Sequence, residues 1–126
     1  MALPHAQPLD VIGVSPLGAQ LKDAVSTSLL KTDRIQLLHM VLMARRDVPP
    51  RHVDDECVLH CLEGQVEVHM GSGVRRLAAG QLMVLPAGQV HSLSARVDSA
   101  LLMTLLLKNG DAGDDGGSGA GSSPER

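Results

Sequence analysis

In the segment CVLHCLEGQVEVHM, residues 57 to 70, Gln65, Glu67 and His69 alternate with Val66, Val68 and Met70. A period of two belongs to a strand with one wet and one buried face. Gly64 marks a tight turn between two strand segments, and GSG at 71 to 73 reads as a hairpin turn. Downstream, VRRLA, QLMVL, VHSLSA and SALLMTLLL are separated by AAG, PAG and VDS. Upstream, the long apolar run RIQLLHMVLMARR stops at DVPPR, where two prolines remove ladder donors. The chain therefore reads as about seven or eight short strands with turn signals every 8 to 12 residues. That spacing predicts an all-β antiparallel sandwich or barrel rather than an α/β fold.

Composition narrows what such a barrel can hold. The 126 residues suit one domain with a modest core, and 44% of them are hydrophobic. None is Phe, Tyr or Trp, so the core is built from Leu, Val, Ile, Ala and Met. A pocket in this chain has no aromatic ring on which to stack a sugar or a base. The net charge of −3 lies in residues 109 to 126, and residues 1 to 108 carry ten acidic and ten basic side chains. Without a basic face, nucleic acid is not an expected partner. Arg45-Arg46 and Arg75-Arg76 read as solvated strand ends.

Three regions follow. Residues 1–25, with Pro4, Pro8, Gly13, Pro16 and Gly18, form an irregular lead-in in which LGAQLKDAV supports a helical turn or two. Residues 26–108 form the barrel. Residues 109–126, with six glycines among serine and aspartate, form a disordered tail unable to offset its ordering entropy. The start MALPHAQPLD has no basic-then-apolar targeting pattern, and SALLMTLLL is too short to span a bilayer. No membrane association is expected, and a cytoplasmic location is. Cys57 and Cys61, four apart on one strand, would stand about 13 Å apart, beyond a disulfide's reach. They read as buried free thiols in a reducing compartment.

The stretch GQLMVLPAGQVHSLSA, residues 80 to 95, places Gly80, Pro86, Gly88 and His91 at the spacing G-x5-P-x-G-x2-H. The glycines suit turns with positive φ, and the proline stiffens the approach to the loop. His91 then opens a strand and shares its face with Leu93 and Ala95. This pattern resembles the second motif of the cupin family, small jelly-roll (double-stranded β-helix) barrels. It departs from that motif at Ala95, where the family has Asn. The resemblance spans roughly residues 35 to 107 and implies a cupin jelly-roll barrel whose interior is lined by the face of His91.

The first motif of that family resembles G-x5-H-x-H-x3,4-E-x6-G. Its closing glycine matches Gly64, and its glutamate position falls on Cys57, next to Glu56. With a four-residue spacer the two histidine positions are Pro50 and His52; with three they are Arg51 and Val53. The resemblance thus implies His52, Cys57 and His91 as metal ligands, a set of two nitrogens and a thiolate suited to Zn or Fe, with Mn or Ni as the family's other choices. A metal-free pocket is the alternative. Glu56 would replace Cys57 only if a bulge turned it inward. His60 faces away from Cys57, His69 faces water, His39 sits in an apolar run and His5 lies in the lead-in. No phosphate loop or nucleophile elbow is present, and Ser92 and Ser94 alternate away from His91.

Two functions are expected from this resemblance. One is a small-molecule binding module, with or without a metal, that uses the barrel interior. The other is a metal-dependent enzyme of the dioxygenase, isomerase or decarboxylase type. The long apolar strands would be aggregation-prone as free edges. A homodimer with N-terminal residues in its interface is expected.

Overall fold

A computed structural model describes residues 5–107. Nine strands account for most of it: β1 (Thr27–Lys31), β2 (Ile35–Leu42), β3 (Asp47–His52), β4 (Cys57–Glu63), β5 (Gln65–Met70), β6 (Gly73–Ala78), β7 (Leu82–Leu85), β8 (Val90–Ala95) and β9 (Ser99–Leu106). They form two antiparallel sheets, a five-stranded one in the order β1-β2-β9-β4-β7 and a four-stranded one in the order β3-β8-β5-β6. The sequence-based expectation of an all-β jelly roll holds. The tail from 109 onward lies outside the described residues. No helix among those described is long and apolar enough to cross a membrane.

Alternation decides which side chains meet between the sheets. In β4, Cys57, Leu59 and Cys61 are buried while the residues between them are half-buried; in β5 the buried pair is Val66 and Val68. These residues join Leu85, Leu93, Leu101 and Met103 in one core. Each fully buried leucine contributes about 1.5–3 kcal/mol, so aliphatic side chains alone suffice to close a core of this size. β2 and β9 pair along their whole length, from Ile35 opposite Leu106 to Leu42 opposite Ser99. Both are interior strands of their sheet, so the two most apolar strands have no free edge.

The turns follow the glycines. Gly80 (φ 88°) and Gly88 (φ 79°) occupy the third position of turns closed by Gln81 N–H to Ala78 C=O and by Gln89 N–H to Pro86 C=O. A type II turn requires positive φ there. The lead-in contains one 3-10 turn, Gly18–Asp23, whose Leu21 is buried. Its first backbone amides, of Leu17 and Gly18, donate to the two oxygens of the Glu63 carboxylate.

One segment departs from the sequence-based expectation. DVPPR reads as a break, yet it lies within β3. β3 is the outer strand of its sheet, and its ladder with β8 is irregular between Val48 and Arg51. An edge strand with a bulge tolerates the donors that Pro49 and Pro50 lack.

Candidate ligand site in the barrel interior

His91 lies on the inner face of β8, where burial alternates through His91, Leu93 and Ala95. It is 2% exposed. The loop before it is fixed by the Gly88 N–H, which donates to Val53 C=O at 2.7 Å. Among the described residues the only hydrogen-bond partner of the ring is the Gln89 carbonyl, 3.3 Å from Nδ1. A carbonyl only accepts, so in the neutral ring Nδ1 carries the proton and Nε2 presents a lone pair. Nε2 is buried and has no hydrogen-bond partner among the described residues. An unmatched buried acceptor costs about 1–3 kcal/mol and marks a place where a donor fits.

The ring forms part of the wall of a cavity of about 210 Å3. Leu38 and Met40 of β2 and Met103 and Leu105 of β9 supply its apolar side. Arg51, His52, Asp54 and Asp55 supply its polar side. The cavity therefore opens between the two sheets. A larger groove of about 700 Å3 touches the other side of His91 along Pro50, Gly71 and Gly88. It is shallow and surface-lying, whereas the smaller cavity gathers side chains from both sheets, as a ligand site does.

Register resolves the two alignments of the first motif. Arg51 stands opposite His91 on the β3–β8 ladder, and His52 stands opposite Val90, which is 58% exposed. Directly opposed residues share a face, so Arg51 shares the face of His91, and Val53, 7% exposed, follows it inward. The three-residue spacer therefore describes the geometry. The His52 side chain is 64% exposed and reaches Asp54, with Nε2 3.4 Å from the carboxylate.

Cys57, at the family's glutamate position, is fully buried. It pairs in register with Leu85 on one side and Leu105 on the other. Burial pushes its thiol up from 9.0 to about 11, so it is neutral at physiological pH. Cys61, also buried and free, is pushed up by burial as well. Among the described residues no group of three or more His, Cys, Asp or Glu side chains could hold a metal ion. Glu56 does not replace Cys57: β4 begins at Cys57 with its regular inward alternation. His69 is partly exposed and bonds Ser94 instead, 2.8 Å from Nε2.

The spacing in the sequence singled out His91, which lines this cavity, and passed over Arg51, which lines it too. The signal was available, since Arg51 was one of the two positions that the three-residue spacer offered.

The Cupin domain family matches residues 38–107, more than half of the chain. The chain belongs to the cupin family. No curated protein matches it. Among solved structures this cupin is similar to a cupin superfamily protein from Desulfitobacterium hafniense, at 16% identity and a TM-score of 0.64 over 86% of this chain and 97% of that one. It is also similar to a conserved protein of unknown function from Streptococcus pyogenes, at 19% identity and a TM-score of 0.65 over 85% and 97%. A third, KdgF from Halomonas sp., aligns at 18% identity and a TM-score of 0.61 over 68% and 82%. At these identities the likeness speaks to the fold.

Proposed function

We propose that this cupin binds a small organic molecule in the cavity between its sheets, by direct contact with the protein and without a resident metal. The observation that carries the reading is the buried Nε2 of His91, a lone pair without a partner in the wall of that cavity. The cavity, about 210 Å3, lies below the range of about 300–1,000 Å3 typical of drug-sized ligands, so a metabolite-sized molecule fits. The donor set argues against a resident metal. Cys57 would have to lose a proton from a dry apolar surround, and the His52 side chain is 64% exposed with its Nε2 turned to Asp54.

The test pairs two measurements on the full chain. Elemental analysis of untagged protein, quantified by amino-acid analysis, is expected to find no stoichiometric metal. Carbon-13 methyl NMR of the methionines, against a set of small organic fragments, is expected to move Met40 and Met103. Near-stoichiometric Zn, Fe, Mn or Ni that disappears in His91→Ala would instead favour the metal-dependent enzyme built on His52, Cys57 and His91. A fragment set that leaves both methyls in place would remove the binding reading.

The same reading sets the protein in a reducing cytoplasm, supported by the two buried free thiols. It also takes the cupin to be a homodimer. Leu82 and Val84, 57% and 51% exposed on the edge strand β7, support that assembly. A monomer mass at every concentration in ultracentrifugation would remove it.

A further inference from the structure

We infer that the ligand is a small aliphatic 2-hydroxy carboxylate, its carboxylate held by Arg51 and its hydroxyl donating to His91 Nε2. The inference rests on the binding reading above and adds the chemical class.

Three observations lead to it. The first is the pairing of Arg51 with His91 across the β3–β8 ladder, which sets the two residues on one face at the wall of one cavity. The second is the state of the other charges there. Asp54 is engaged by His52, and Asp55 accepts the Glu56 N–H at 2.7 Å. Arg51 has no ion-pair partner among the described residues. An arginine without an ion-pair partner offers a fork of donors that fits a carboxylate. The third is the complementary demand of His91, whose unpartnered Nε2, in the neutral ring with Nδ1 donating to Gln89 C=O, is an acceptor. A carboxylate alone would set lone pair against lone pair at that atom. A hydroxyl beside the carboxylate supplies the donor, whereas an ammonium there would sit close to the Arg51 cation.

The rest of the wall selects the body of the ligand. Leu38, Met40, Met103 and Leu105 are apolar, and the chain has no aromatic ring to stack a sugar or base. A branched or straight aliphatic chain is what they would cover. Met40 and Met103, unbranched and adaptable, are the side chains able to yield around it.

The experiment titrates 2-hydroxy-4-methylpentanoate, its amide and 4-methylpentanoate into full-length protein carrying carbon-13 methionine methyls. In the wild type the hydroxy acid is expected to move Met40 and Met103 and to bind at least about tenfold tighter than the amide. Arg51→Gln, at an exposed position on an edge strand that leaves the core untouched, is expected to erase that difference by weakening the acid alone. Removing the hydroxyl is expected to weaken binding to the wild type and to have no effect on His91→Leu, as a coupled pair requires. Equal affinity of acid and amide, or an acid indifferent to Arg51→Gln, would overturn the inference. The binding reading would survive that result if both compounds still moved Met40 and Met103. Silence of those methyls toward all three compounds would also overturn the inference, and the wider fragment set then decides the binding reading separately.

Discussion

Gly64 and Ser99 touch where β4 turns into β5. Gly64 has φ 81°, and a Cβ placed on it would press into the Ser99 side chain and stand 2.6 Å from the Asp98 carbonyl oxygen. The Ser99 hydroxyl accepts the Gln65 N–H at 2.9 Å and donates to Val97 C=O at 2.7 Å. A single oxygen thus ties the start of β9 to the start of β5, and the absence of a side chain at Gly64 makes room for it. Gly64→Ala combines left-handed backbone strain with a clash against backbone that cannot swing away. It is expected to cost about 2–4 kcal/mol, read by urea denaturation followed by far-UV circular dichroism. A change within about 0.5 kcal/mol, the scale of an ordinary surface substitution, would show that the turn relaxes freely.

Removing the imidazole should separate stability from binding. The buried Nε2 of His91 is unmatched among the described residues, and Nδ1 has one long contact, 3.3 Å to the Gln89 carbonyl. An apolar side chain of similar size removes an unmet polar atom at the loss of one weak hydrogen bond. His91→Leu is therefore expected to unfold at a urea midpoint equal to or above that of the wild type, while losing the ligand-induced shifts of Met40 and Met103. A substantial loss of stability would mean that the ring is held for structure. This is the pattern expected where a binding site is maintained against the preference of the core.

The sequence made the inner face legible because alternation and glycine spacing act locally. Gly64, Gly80 and Gly88 take the positive φ their turns demand, and His91, Leu93 and Ala95 point inward together. The first motif was less legible. One residue of spacer exchanges Pro50 and His52 for Arg51 and Val53, because a one-residue shift in a strand swaps its two faces. Only pairing with β8, fixed by contacts some 40 residues away in sequence, selects between them. Pro49 and Pro50 misled in the same way: they forbid a central strand, and whether a strand lies at an edge is a property of the whole sheet. The partner of Ser99 was likewise out of reach of any local pattern.

Alkaline pH should expose the state of Cys57. Its thiol is pushed up to about 11 by burial, from 9.0 in the unfolded chain. The folded state thus holds a proton that the unfolded state releases first. The resulting stabilisation is complete below pH 9 and is lost as the pH rises from about 9 to about 11, by an amount on the order of 2 kcal/mol. The chain has no tyrosine to titrate in the same range. Denaturation midpoints measured across this window are expected to fall more steeply for the wild type than for Cys57→Ala, with Cys61 contributing in the same direction to both. Identical slopes would mean that the thiol is solvated in the folded protein.

One carboxylate ties the 3-10 turn of the lead-in to the barrel, while Ala6 N–H, donating to Leu29 C=O at 2.9 Å, ties its start to β1. Glu63, at the end of β4, accepts the Leu17 N–H at 2.8 Å through one oxygen and the Gly18 N–H at 3.1 Å through the other. These are the first amides of the 3-10 turn, which has no side-chain cap of its own, and the turn buries Leu21. A carboxylate facing unpaired N-terminal amides is a favourable charge-assisted contact. Lys22, exposed within that turn, offers trypsin a bond it can cut once the turn opens. Glu63→Ala is expected to speed cleavage after Lys22 severalfold and to lower global stability by about 1–2 kcal/mol. Glu63→Gln keeps an acceptor but loses the charge and one acceptor oxygen, and is expected to fall between the two. Equal cleavage rates in all three proteins would show that Leu21, not Glu63, anchors the turn, and Leu21→Ala would then be the variant that releases it.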